Sequence, residues 1–148
     1  MEIKTTVTNI THDDLVNLLC TATYVSSWLG CNFKKSDYYG TELENANDCR
    51  EDKWAKILLA GKSIGVYDYE SDGEAYGNLP HEWKADREVM RYTLTLKDIQ
   101  AGIERIMNGC VDYIKPYVLD WCSDNGNLDQ IEAEAIMQYI VFGEEIYG

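Results

Sequence analysis

The chain has 148 residues, a length typical of one domain, and 45% of them are hydrophobic, which argues against wholesale disorder. Its net charge is −13, from 26 acidic and 13 basic side chains, and this field repels the phosphate backbone of nucleic acids. No stretch approaches about 18 consecutive apolar residues, and the first residues lack the apolar region of a signal peptide. We therefore expect a cytosolic protein that neither binds nucleic acid directly nor spans a membrane.

The first third of the chain predicts a strand, a helix and a second strand. Residues Glu2–Thr8 alternate as a short strand does. Thr11, followed by Asp14 three residues later, forms a T-x-x-D variant of the capping box, which predicts a helix that ends before Trp28. The segment CNFKKSDYYG, residues 31–40, predicts the second strand.

The middle of the chain predicts a helix and two strands. The segment REDKWAKILLAG, residues 50–61, carries acids in its first turn and ends in a glycine suited to close a helix. Alternation predicts strands at residues 62–70 and 87–95. Between them, residues 71–86 are rich in glycine and hold a proline, which predicts an extended inserted loop.

The last third predicts two helices. Their capping boxes pair Thr95 with Asp98 and Asp129 with Glu132. Gly109 and Gly143 are the expected stops of these helices. Between them, Pro116 predicts that any helix in residues 110–121 ends or kinks.

Together these elements predict a single α+β domain, residues 1–148, with three to four helices packed on a small, largely antiparallel sheet. The expected core residues are Leu15, Leu19, Ile99, Ile103, Ile106, Ile136 and Ile140. Consecutive helical residues lie about 100° apart, so Ile140, Val141 and Phe142 cannot all face one side. The surplus apolar surface is covered either by Ile146 and Tyr147 or by a second copy, and we expect at least a dimer.

Catalytic and metal-binding motifs are missing from the sequence. The segment AGKSIG lacks the first glycine of a phosphate loop, and DYESDGE departs from a calcium loop at its twelfth position, Leu79. The five cysteines include no C-x-x-C pair, and His12 stands beside acids that a helix start explains. We therefore expect a protein that is not an enzyme and has no cofactor and no metal.

Aromatic residues are the unusual feature, with 11 Tyr and 4 Trp against 2 Phe. They either complete a modest core and its rim or form a recognition surface, since aromatic faces stack on nucleobases. Basic residues lie close in sequence to the densest aromatic groups. A recognition surface of aromatic and basic residues therefore stays an open alternative to a purely structural role.

Several segments recur together in another group of proteins. They are a T-x-x-D-capped first helix followed by a Trp, then YTLTLKDIQAGIERI, a DNGNLD turn, and AEAIMQYIVFGEEIYG at the end. In these features the chain resembles a family of small, uncharacterised proteins encoded by phages and prophages of Gram-positive gut bacteria, whose endings read like D-A-D-x-I-V-Q-Y-A-L-F-G-E-x-V-Y-G. The resemblance is strongest over Tyr92–Ile106 and Asn127–Gly148. It implies a phage accessory protein in the host cytosol, of a kind that often counters host defence by binding.

Two binding functions stay open, and we favour the first. It is a sponge that sequesters a nucleotide immune signal, with aromatic faces for the base and arginines for the phosphates. The expected ligand-binding residues are Arg87, Arg91, Tyr92, Tyr67, Tyr69 and Trp83. The second is an acidic inhibitor, similar to some anti-CRISPR proteins, that covers a basic groove of a host defence protein with Glu42–Asp52. A structural or assembly role in the phage is a third alternative.

Overall fold

The elements of the fold are taken from a computed structural model, which describes residues 9–24, 26, 28–109, 113–121 and 128–147. In chain order they are α1 (His12–Thr23), β1 (Leu29–Asn32), a short 3-10 helix (Lys35–Asp37), α2 (Arg50–Leu59), β2 (Ile64–Asp68), β3 (His81–Lys84), β4 (Val89–Leu94), α3 (Leu96–Asn108), α4 (Lys115–Trp121) and α5 (Gln130–Phe142). The predicted strand at Glu2–Thr8 lies outside the described residues. The class is α+β, as predicted.

The capping residues predicted from the sequence begin α1, α3 and α5. At α1, Thr11 Oγ1 accepts a bond of 3.1 Å from the backbone N–H of Asp14, and Asp14 Oδ2 accepts one of 3.0 Å from Thr11. The same reciprocal pattern joins Thr95 to Asp98 and Asp129 to Glu132. At the end of α5, Gly143 adopts the left-handed conformation, with φ 77°. The structure confirms these helix boundaries. They could be predicted because a capping box joins residues that are neighbours in sequence.

The four strands form one antiparallel sheet in the order β1-β2-β4-β3. Successive side chains alternate between its faces. The inner face packs against the helices through Ile64, Val66, Met90, Tyr92 and Leu94, all of which are buried. Helix α5 contacts both α1 and α3. The core therefore lies between one face of the sheet and a layer of helices.

The seven predicted core residues are all buried, none exposed by more than 1%. Helices α3 and α5 approach closely at Gly102, where an added Cβ would lie 2.9 Å from the Cα of Ile140. That distance is too short for any side chain, so a glycine is required on α3 at this crossing. The predicted core assignment is confirmed.

Three local predictions need correction. The second strand ends at Asn32 rather than running to residue 40, and a 3-10 helix follows it. The predicted inserted loop 71–86 contains β3, which pairs with β4. Pro116 does not end a helix but stands in the first turn of α4, where its missing N–H costs nothing. With α4, the described helices number five rather than three or four.

The carboxyl-terminal segment folds back onto the domain. The side chain of Gln138, only 3% exposed, accepts bonds of 2.7 Å from the N–H groups of Ile146 and Tyr147 and donates one of 2.9 Å to the Tyr147 carbonyl. The Tyr147 ring packs on Trp28 and Phe142, with centroids 5.7 and 6.0 Å apart. Its hydroxyl donates a bond of 2.8 Å to Asp68 Oδ2. Polar and apolar contacts together hold this end in place.

Residues Ile140, Val141 and Phe142 are buried within their own chain, with exposures of 1%, 1% and 3%. Of the two alternatives raised by the sequence, cover by the chain's own end is therefore the one observed. The dimer remains a prediction. The burial of these three residues means that they do not form the exposed apolar surface from which the dimer was predicted. Among the described residues, no helix is both long and apolar enough to cross a bilayer.

The carboxylate of Asp68 is fully buried on the inner face, and this burial raises its pKa above the usual value. A raised folded-state pKa favours the protonated form, so the stability that this group contributes is lost as pH rises from the unfolded value of 3.8 through the folded one. We expect Asp68→Asn to gain stability relative to the parent as pH rises, because an amide cannot ionise. Urea unfolding of both proteins across this range measures the difference, and a difference independent of pH would contradict the expectation.

Candidate functional site

The sheet places four of the six predicted ligand-binding residues on the face that points away from the helices. Tyr67 of β2 lies directly opposite Arg91 of β4, so both side chains project from the same face. Tyr69 follows β2 and Arg87 precedes β4, and both side chains contact the ring of Tyr67. We call this surface the open face; it comprises Gly30, Asn32, Gly65, Tyr67, Tyr69, Glu82, Lys84, Arg87, Arg91 and Thr93. Tyr67 is 6% exposed yet stands apart from the main core cluster.

The ring of Tyr67 contacts both Arg87 and Tyr69 at the open face. The guanidinium of Arg87 lies 5.1 Å from the centre of the Tyr67 ring, a cation–π distance. The rings of Tyr67 and Tyr69 have centroids 6.1 Å apart. Tyr67 is covered by these neighbours, and its hydroxyl accepts a bond of 2.5 Å from Asn32 Nδ2. Tyr69 is 46% exposed and keeps aromatic surface free for a ligand.

Arg91 lies across the backbone of Gly65. A Cβ at position 65 would clash with Asn32 Oδ1 and stand 2.5 Å from Arg91 Nε and 2.6 Å from Nη2, so a larger residue here would require these side chains to move. Among the described residues, neither Arg87 nor Arg91 has a carboxylate within ion-pair distance. Two arginines without an acidic partner are notable in a chain with 26 acidic side chains.

Tyr92 and Trp83, the other two predicted site residues, lie on the opposite side of the sheet. Tyr92 follows Arg91 and therefore points into the core, where it is fully buried and its hydroxyl accepts a bond of 3.0 Å from the Tyr76 N–H. Trp83 pairs with Met90 on the edge strand and shares its side. The sheet therefore brings four of the six predicted residues together on one face, and strand alternation places Tyr92 and Trp83 on the other.

A cavity of about 350 Å³ lies beside β1 and was not predicted as a site. It is lined by Asn32, Phe33, Lys35, Tyr39, Arg50 and Trp54, together with the partly buried Cys31. The sequence shows aromatic residues next to lysines at 33–39, but Arg50 and Trp54 come from α2 and reach the cavity only through tertiary packing. Only the first half of this site therefore had a sequence signal.

The acidic segment Glu42–Asp52, the surface of the alternative inhibitor hypothesis, is largely partnered within the chain. Asp48 accepts a bond of 2.6 Å from Lys56 Nζ, and this bond holds the pKa of Asp48 below its usual value. Glu51 pairs with Arg50 at 2.7 Å, and Asp52 lies 3.2 Å from His12 Nε2. These contacts reduce the free negative charge that a basic groove would meet.

Groups of metal-ligating side chains are not assembled in the described part of the chain. No cluster of three or more His, Cys, Asp or Glu suited to a metal ion occurs there. Cys49 is exposed, and its thiol donates a hydrogen bond of 3.1 Å to Asp52 Oδ2, within the capping box that begins α2. The contacts of His12 with Asp13 and Asp52 belong to the start of α1 and the first turn of α2.

Comparison with known proteins gives no match to any family model, any curated protein or any solved structure. The resemblance to phage-encoded proteins therefore stays a prediction, and the function is argued below from the chemistry of the surfaces.

Proposed function

We propose that this protein acts by binding rather than by catalysis, and that it sequesters a nucleotide-type ligand on the open face. The observation that carries the proposal is that Arg87 and Arg91, which have no ion pair with a described carboxylate, share the open face with the 46% exposed side chain of Tyr69. A nucleotide presents the complementary groups, a flat base and a phosphate. The base stacks on Tyr69, and the arginines hold the phosphate.

Base stacking and hydrogen bonds from the arginines both contribute to the free energy of binding. Stacking of a base on an aromatic ring is worth about 1–3 kcal/mol, and a hydrogen bond to a charged group contributes about 1.5–3 kcal/mol. The net charge of −13 opposes an anionic ligand, but salt screens distant charges beyond a Debye length of about 8 Å. The charges close to the ligand, Arg87 and Arg91 together with the Glu82–Lys84 ion pair on β3, therefore determine the local attraction.

The setting we propose is the host cytosol, where the protein serves as a phage accessory protein that removes a nucleotide immune signal. The resemblance of the chain's ending to phage-encoded proteins supports this setting. The acidic inhibitor hypothesis has less support because Asp48, Glu51 and Asp52 have partners within the chain. Binding to a basic host nuclease in place of any nucleotide would favour that hypothesis over ours.

Thermal unfolding against a panel of cyclic dinucleotides, cyclic mononucleotides and cyclic ADP-ribose isomers tests the proposal. A ligand at about 100 times its dissociation constant adds about 2.7 kcal/mol to the free energy of unfolding. We expect at least one nucleotide to raise the melting temperature by several degrees. If none does so at concentrations up to about 1 mM, binding is too weak for a sponge and the proposal fails.

Substitutions then locate the ligand. We expect Arg91→Ala to weaken binding by about 2 kcal/mol, or about thirtyfold, because one charged hydrogen bond is lost. Arg87→Ala should act similarly, whereas Lys97→Ala removes an exposed charge from the first turn of α3 and should change affinity little. Calorimetric titration of the three variants measures this. Equal affinities for all three would place the ligand elsewhere than on the open face.

A further inference from the structure

The cavity beside β1 has aromatic walls. Phe33 and Tyr39 have ring centroids 6.0 Å apart at an angle of 37°, and Tyr39 is 44% exposed. Across the cavity, Trp54 is 3% exposed and is covered by the guanidinium of Arg50, 5.2 Å from its ring centre. A planar group that enters the cavity therefore meets both aromatic rings and a guanidinium among its lining residues.

The lining of this cavity includes cations and no carboxylate, although Glu51 pairs with Arg50 just outside it. Lys35 is exposed and has no ion pair with a described carboxylate. Arg50 uses its Nε on Glu51 at 2.7 Å, and its Nη2 donates to Thr23 Oγ1 at 3.4 Å, so further guanidinium N–H groups remain for a ligand. Lys53 Nζ lies 3.0 Å from the Tyr39 hydroxyl. Three cations thus lie close to a cavity with no carboxylate in its lining.

The thiol of Cys31 contributes shape rather than reactivity. Burial raises its pKa to about 12, against the opposing effect of Arg50. A thiol that stays protonated at neutral pH is a poor nucleophile and behaves as a small apolar group. The cavity therefore has the character of a binding site, with an apolar floor, aromatic walls and a cationic rim.

We propose that this cavity is a second ligand site, which takes one planar aromatic group that carries a phosphate or other anion. The ring lies against Phe33 and Tyr39, and the anion meets Lys35 and Arg50. A volume of about 350 Å³ is at the low end of ligand pockets, which fits a single base with its phosphate rather than a dinucleotide. The cavity shares only Asn32 with the open face. A test of ligand binding in the cavity is therefore independent of the test of the function proposed above.

The test uses the full chain and the four common ribonucleoside 5′-monophosphates, with phenyl phosphate as a minimal probe. Titration is followed by tryptophan fluorescence, because Trp54 lines the cavity. We expect saturable binding of at least one probe, with adenosine or inorganic phosphate alone about tenfold weaker than adenosine 5′-monophosphate. No saturable binding by any of the five probes at concentrations up to about 1 mM would overturn the proposal.

Variants distinguish the two sites. We expect Tyr39→Ala and Lys35→Ala each to weaken binding of the probe by about tenfold. Tyr39→Phe keeps the ring and should keep the affinity, and Arg87→Ala alters only the open face. If Arg87→Ala weakens binding while Lys35→Ala does not, the probe occupies the open face and the cavity proposal is overturned.

Discussion

A chain truncated after Gly143 is expected to lose about 4 kcal/mol of stability or more. The deletion uncovers Trp28 and Phe142, which the Tyr147 ring now covers. Burial of an apolar side chain is worth about 1.5–3 kcal/mol, and each buried polar group left without a partner costs about 1–3 kcal/mol. Gln138 and Asp68 both lose partners with the deletion. Typical domains have about 5–15 kcal/mol in total, so this loss removes about a quarter to four fifths of the stability.

The variant Tyr147→Phe separates the polar part of this contact from the apolar part. It keeps the ring over Trp28 but removes the hydroxyl that donates to Asp68, so a loss of about 1–2 kcal/mol is expected. Urea unfolding of the full chain, the variant and the truncated chain gives the three free energies. A truncated chain with an unchanged urea midpoint would show that the carboxyl-terminal segment does not stabilise the domain.

The parts of the fold that sequence predicted correctly are those whose cause is local. A capping box joins residues three apart, and the apolar stripe of α3 follows from helical periodicity alone. Strand β3 was missed because three of its four residues are exposed, so no apolar alternation marks it. It exists because β4 offers it hydrogen bonds, and that partner cannot be read from residues 81–84 themselves.

The candidate sites also combine features that have a local cause with features that depend on tertiary packing. Arg91 and Tyr92 are neighbours in a strand, and alternation already forbids them to share a face. The pairing of Tyr67 with Arg91 follows from the register of β2 and β4, and the meeting of Tyr39 with Arg50 and Trp54 follows from how α2 packs beside β1. Such contacts depend on tertiary structure, which no local pattern predicts.

The variant Ile103→Asp is expected not to fold. Ile103 lies on the buried side of α3 and is 1% exposed within the main core cluster. The substitution removes apolar burial worth about 1.5–3 kcal/mol, and a buried polar group without partners costs several kcal/mol more, even when it takes up a proton to become neutral. A loss above about 5 kcal/mol exceeds the range of ordinary substitutions and approaches the whole stability of a small domain.

The matched control is Ala101→Asp, which places the same side chain two residues earlier on the exposed side of α3. Its cost should be limited to helix propensity, about 0.7 kcal/mol. Circular dichroism during heating measures both variants against the parent. We expect a cooperative transition near that of the parent for Ala101→Asp and none for Ile103→Asp. Because the two chains have the same net charge and an aspartate in the same helix, the difference between them isolates burial. A folded Ile103→Asp with an unchanged melting temperature would mean that the packing of α3 on α5 does not hold the domain together.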